Sequence, residues 1–162
     1  MELKDYLHYY LYGKIWEAGV SVCTLIGIGD SYYTIKTKQG NLLTLSNQAE
    51  IKLVLRQTKD LTEAEAAELA VIYSGAKTVS PMKGIASNWH YFFCYFGDDS
   101  EGEVIVIDAT GCGWYAHYFD KGQPGHRNIV NEHQAFHYLL RQQFDLFGLI
   151  PAGHALDAKT LK

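Results

Sequence analysis

Tyr32-Tyr-Thr-Ile-Lys-Thr-Lys-Gln-Gly-Asn-Leu-Leu-Thr-Leu45 is the stretch on which the fold turns. Successive side chains of an extended chain point to opposite sides, so Tyr33, Ile35 and Thr37 share one face while Tyr32, Thr34, Lys36 and Lys38 share the other. Gln39-Gly40-Asn41 then supplies a turn, and Leu42–Leu45 a short returning strand. Upstream, Gly19–Ile28 is rich in Val, Ile, Thr and Leu and runs into a second turn at Gly27-Ile-Gly-Asp30. Downstream, Ile51–Leu55 reads as a last strand. Short antiparallel strands at this spacing predict a small curled sheet or barrel of the Src-homology type. Such barrels bind peptides, nucleic acids or nothing, so the architecture alone carries no function.

Helical patterns flank this sheet. Leu3, Leu7, Tyr10 and Leu11, with Tyr6 beside them, predict a short amphipathic helix that Gly13 ends. Tyr6, Tyr9, Tyr10 and Tyr12 cannot all face one core, so some belong at a seam or on a surface that binds something. Over Thr58–Ser74, Thr62 and Glu65 have the spacing of a capping box. Leu69, Ile72 and Tyr73 follow as a stripe with Ala66 beside it, and Gly75 closes the helix. Glu63, Glu65 and Glu68 sit where the helix dipole favours acids. Ala76–Asn88, with Ser80-Pro81 and Gly84, reads as a connector. Three strands are then expected as a meander, at Trp89–Phe96, Glu103–Asp108 and Trp114–Phe119. The first two are apolar on both faces, a pattern that asks for cover from helices or from a second subunit. Residues 130–144 complete the chain's helices as a cover for the meander, with Phe136, Leu139, Leu140, Gln143 and Phe144 on or near one face. Pro151 and Gly153 interrupt helicity, and 154–162 is left as a tail. The fold class is therefore α+β, with a first domain over 1–75 and a second over 76–162, able to share one core.

Composition narrows the function classes. The chain has 162 residues, 48% of them hydrophobic and 20% charged, which excludes intrinsic disorder. Net charge is −4, and residues 1–75 and 76–162 each carry 7 basic and 9 acidic side chains. With no basic half or run, the counterion release that drives nucleic-acid binding has no source. Cys23, Cys94 and Cys112 are odd in number and far apart, which fits neither a disulfide framework nor a structural zinc site. The opening Met-Glu-Leu-Lys-Asp-Tyr lacks an apolar signal core, and the longest apolar run, Trp89–Phe96, is far short of a membrane span. These features point to a cytoplasmic protein with no membrane partner.

Seven histidines are the first candidates for chemistry. His133 and His137 stand four apart on the expected helix, a spacing able to hold one metal ion, with His117, His126 or Asp120 as further ligands. The glutamate of a helical metalloprotease motif is missing, since Gln134-Ala-Phe136 intervene. On a helical wheel His133 falls inside the Phe136/Leu140/Phe144 stripe and His137 at its margin, so core packing explains the pair equally well. Asp98, Asp99 and Glu101 fit a solvated turn better than a calcium loop. Gly27-Ile-Gly-Asp30 and Gly111-Cys-Gly113 lead into strands, not helices, and so are turns and not phosphate loops. Cys112 and His117, five apart on a strand, would point to opposite faces. An aromatic and polar band is left: Trp89, His90, Trp114, His117, Tyr118, His126 and Arg127. Rings beside a few donors can stack a planar ligand or anchor a protein partner.

Three groups of residues carry a resemblance. They are the opening Met1-Glu-Leu-Lys-Asp-Tyr-Leu7 with Tyr33-Thr-Ile-Lys-Thr37; Ile51-Lys-Leu-Val-Leu-Arg56 followed by Asp60-Leu-Thr-Glu-Ala-Glu65; and His137-Tyr-Leu-Leu140 with Phe144-Asp-Leu-Phe-Gly-Leu-Ile150 and Pro151-Ala-Gly-His154. Together they resemble small uncharacterised proteins of Bacteroidetes and their phages, over about the first third and last sixth of the chain. The resemblance implies an intracellular accessory protein of a phage or mobile element, and brings no residue roles with it. The sequence thus leads to a non-enzymatic, self-associating binding protein without a cofactor, recognising a host protein or small ligand through aromatic surfaces. Two alternatives stand beside it. One is a metal-assisted hydrolase built on the histidines. The other is a nucleic-acid module using Tyr32, Lys36 and Lys38.

Overall fold

The computed structural model describes residues 3–17, 20–46, 48–74, 80–86, 89–95, 104–108, 115–120, 123–124 and 131–161. The first elements are α1 (Lys4–Leu7), β1 (Lys14–Glu17), β2 (Val20–Ile28), β3 (Tyr32–Lys36), β4 (Leu42–Ser46) and β5 (Ile51–Leu55). They are followed by α2 (Glu63–Ser74), β6 (Ser80–Ala86), β7 (Trp89–Tyr95), β8 (Val104–Asp108), β9 (Tyr115–Asp120) and β10 (Gln123–Pro124). The chain closes with α3 (Glu132–Arg141) and β11 (Ala155–Asp157). The class is α+β. By its contacts the chain divides into Met1–Arg56 with Leu140–Lys162, and Gln57–Leu139, where the sequence reading draws its line after residue 75.

The first unit is a six-stranded sheet in the order β11-β5-β1-β2-β3-β4. It is open, not a barrel, and mixed, not antiparallel throughout. The reason is β11, which adds parallel to β5 and occupies the flank that a closing strand would need. The alternation in β3 is as read: Tyr33 and Ile35 are buried while Tyr32 and Lys36 are exposed. Register continues that apolar layer across the sheet. Leu25 lies opposite Ile35, and Ile15 lies between Cys23 and Leu53. Ile15, Leu25, Ile35, Leu53 and Leu55 are fully buried, each contributing roughly 1.5–3 kcal/mol of apolar burial. The N-terminal segment buries Tyr6, Leu7 and Tyr10, the two tyrosine rings in contact with Phe147. Leu11, expected on the same face, is exposed. The helix tightens to a 3-10 turn at His8–Tyr10, and Tyr12 turns left-handed at φ 70°, so the chain has left helical register by then.

The C-terminal return completes this unit. α3 stops at Arg141, short of the expected 144, because Gln143 adopts φ 63°. Phe144 therefore leaves the helix and makes a parallel bridge with Arg56. The Arg56 N–H donates to the Gln143 carbonyl and the Arg56 carbonyl accepts from the Asp145 N–H, both at 2.8 Å. Asp145 is a buried carboxylate that accepts from the Leu149 and Ile150 N–H groups, each at 2.8 Å. That pair of charge-assisted bonds closes the turn leading to β11. The presumed tail is thus an edge strand.

The second unit holds a five-stranded antiparallel sheet in the order β10-β9-β8-β7-β6. The segment read as a connector contains β6. Pro81 and Gly84 suggested a break, but β6 is an edge strand, where a residue without an N–H costs no ladder bond if it faces outward. α2 lies against β6, β7 and β8. Its capping box forms: the Thr62 N–H donates to Glu65 Oε2 at 2.8 Å, and the Glu65 N–H to Thr62 Oγ1 at 3.3 Å. Leu61, Ala66, Leu69, Ala70 and Tyr73 are buried. Burial, with the nearby Glu132 carboxylate, pushes the Tyr73 phenol above the usual tyrosine range. No helix among the described residues is long and apolar enough to cross a membrane.

Candidate functional site

Alternation along the first sheet gives β1, β2 and β5 a second set of side chains, on the face opposite the core. Lys14 of β1 is paired with Thr24 of β2. Val54 of β5 follows the Leu53 that faces Ile15. These residues, with Val22, form the floor of an open cleft of about 630 Å³. Arg56, Arg141, Gln142, Gln143, Tyr12, Ala158 and Leu161 complete its lining. The volume suits a small organic ligand.

Each wall is fixed by an identifiable interaction. The left-handed Gln143 turns its side chain back so that Oε1 accepts from the Lys14 N–H at 3.1 Å. Gly13 is required at that approach, since a Cβ there would collide with the Gln143 amide and the Tyr10 carbonyl. The Arg56 guanidinium lies over the Phe144 ring, 4.3 Å from its centre, which holds the cation in place beneath the C-terminal return. Tyr12 is held by its N–H, which donates to the Leu25 carbonyl at 2.6 Å. Its ring is 72% exposed, so it forms a rim and not part of the core. The Tyr10 hydroxyl behind it donates to the Phe144 carbonyl at 2.9 Å. Burial first, and the Asp145 carboxylate second, drive that phenol's pKa well above the usual range, against a backbone hydrogen bond at Leu146 that lowers it.

Charge gives the cleft its chemical character. Lys14, Arg56 and Arg141 line it together with two side-chain amides, a threonine and a tyrosine, and no aspartate or glutamate among the described residues belongs to its lining. Val22, Val54, Ala158 and Leu161 supply apolar surface beside these donors. On a chain of net charge −4, this is a local concentration of positive potential.

Of the candidate site residues singled out from sequence, those among the described residues are absent from the lining of this cleft. Trp89 and His90 open β7, while His117 and Tyr118 lie within β9. His117 aligns through Val106 with Phe93, three residues along from His90 and two strands away. The backbone therefore spreads the four over roughly 17 Å along the strands, from Trp89 to Tyr118, and roughly 10 Å across them. Trp114, His126 and Arg127 lie outside the described residues, as do Cys112 and the Asp98–Glu101 turn. Cys23 is a buried thiol outside any disulfide, its pKa raised by desolvation and then by Glu17, as befits an inert core cysteine. His133 and His137 are both exposed on α3, which overturns the expectation of a core histidine. Because the helix ends at Arg141, its buried face is Ala135, Leu139 and Leu140, and the histidines fall on the solvent side. No group of three or more His, Cys, Asp or Glu among the described residues is placed to hold a metal ion.

Sequence reasoning passed over Lys14, Arg56, Arg141 and Gln143. Only the alternation Lys52–Val54–Arg56 hinted that one face of β5 differs from the other. Comparisons with protein-family models, curated proteins and solved structures return no match.

Proposed function

We propose that this is a binding protein whose first unit holds a small organic anion, a carboxylate or phosphate carrying an apolar body, in the cleft above β1, β2 and β5. The observation that supports this most is the convergence of Lys14, Arg56 and Arg141 on one hollow that also carries apolar side chains. Two arginines offer planar forks that match carboxylate or phosphate oxygens, and the lysine offers a point charge. Gln142, Gln143 and Thr24 provide the neutral donors that fix orientation, while Val22, Val54 and Leu161 accept the ligand's body. This reading keeps the recognition role expected from sequence and moves it from the aromatic band to a basic cleft. Tyr12, one of the four clustered tyrosines, contributes the ring at its rim.

The test is thermal stabilisation by octanoate, with octanol as a neutral control and inorganic phosphate as a headgroup control. Ligand that binds only the folded state raises Tm by mass action. The expected result is a concentration-dependent rise with octanoate, none with octanol, and loss of the rise in Lys14→Gln/Arg141→Gln, whose sites are both exposed. Equal responses to octanoate in the wild type and that double variant would contradict the assignment.

A further inference from the structure

His133 and His137 form the second place where the fold gathers chemistry-bearing side chains. Their Nε2 atoms are 3.1 Å apart, their ring centres 4.3 Å apart, and their planes nearly perpendicular at 74°. Both rings are exposed on α3, a ten-residue helix with Glu132 in its first turn. Asn131 anchors the start of that helix, its Nδ2 donating to the Ile72 carbonyl at 3.2 Å. The buried Ala135 and Leu139 hold the opposite face. The pair thus stands on a supported surface, and the two nitrogens meet without rearrangement of the backbone.

From this geometry we infer that His133 and His137 chelate one divalent transition-metal ion through their Nε2 atoms. Imidazole nitrogens bind such ions at about 2.0–2.1 Å, so two of them on one ion stand roughly 2.9 Å apart at a right angle and about 3.3 Å apart at the tetrahedral angle. The observed 3.1 Å lies between these limits. Two neutral imidazoles with no thiolate and no carboxylate select borderline ions such as Cu²⁺, Ni²⁺ and Zn²⁺ over Mg²⁺ or Ca²⁺. No third protein ligand joins them among the described residues, so the bound ion keeps open positions for water or an outside donor. This site is independent of the anion cleft, and its test does not depend on that reading.

The experiment is isothermal titration of the full chain with Zn²⁺, Cu²⁺ and Mg²⁺ separately, in a non-coordinating buffer at about pH 7.5. The expected result is one saturable equivalent of Cu²⁺ and of Zn²⁺, Cu²⁺ the tighter, and none of Mg²⁺. His133→Gln and His137→Gln should each weaken binding by at least about tenfold, the order seen when a metal site loses one of its supports. Both side chains are exposed, so circular dichroism should show unchanged folding in either variant. Absence of saturable Zn²⁺ and Cu²⁺ binding would overturn the inference. Binding that survives unchanged in both variants would overturn it equally, by placing the metal on other histidines.

Discussion

The basic cleft draws Lys14, Thr24, Val54, Arg56, Arg141 and Leu161 from widely separated parts of the chain, whereas the histidine pair needs little more than one turn of one helix. Both can hold a charged guest, but they depend on different things. The cleft exists only while β5 is flanked by β1 and β11 and while the 142–154 segment folds back over Arg56. The pair exists wherever α3 is helical. Damage to the C-terminal return should therefore unmake the cleft long before it affects the spacing of two imidazoles on a helix surface.

The sharpest way to break that comparison is Phe144→Ala. Phe144 is fully buried and carries the Arg56 guanidinium on its ring. Removal should cost about 3–5 kcal/mol in urea unfolding and abolish the octanoate response, with metal binding by the folded fraction retained. Loss of neither stability nor anion binding would show that the return does not build the cleft. Next in size is Asp145→Asn, which replaces one of two acceptor oxygens by an amide that meets a backbone N–H. The urea midpoint should fall by an amount equivalent to about 1–3 kcal/mol, with weaker octanoate binding and unchanged metal affinity.

Local and distant origins also decide what the sequence disclosed. Alternation placed Tyr33 and Ile35 in the core, and the Thr62–Glu65 spacing gave a capping box, since each depends on residues a few positions apart. β11 was missed because three residues after Pro151 and Gly153 carry no periodicity, and only the parallel neighbour β5 makes them a strand. β6 was missed because Pro81 and Gly84 are local breakers that an edge position tolerates. His133 was placed on the wrong face because nothing nearby announced that Gln143 would turn left-handed and end the helix. The three cations of the cleft share no local pattern at all. Their meeting is a property of strand order.

Two smaller effects sharpen the contrast further. Thr62→Ala removes the capping box of α2 and should cost about 1 kcal/mol of stability, leaving anion binding by the folded protein unchanged because Thr62 does not line the cleft. Tyr10→Phe should cost about 0.5–1.5 kcal/mol near neutrality through loss of its bond to the Phe144 carbonyl. It also has a signature in pH. The folded pKa of Tyr10 is raised above its unfolded value, so its contribution is complete below about pH 10 and is lost as pH rises above that, where only the unfolded chain ionises. Stability of the Phe variant, followed by urea unfolding, should therefore fall less steeply above that pH than that of the wild type.

The chain contains three arginines, at 56, 127 and 141, and their side-chain Nε–Hε NMR signals report the anion site most directly. During octanoate titration the Arg56 and Arg141 signals should move together and saturate with one dissociation constant. Movement of Arg127 alone, or of no arginine signal, would contradict the account.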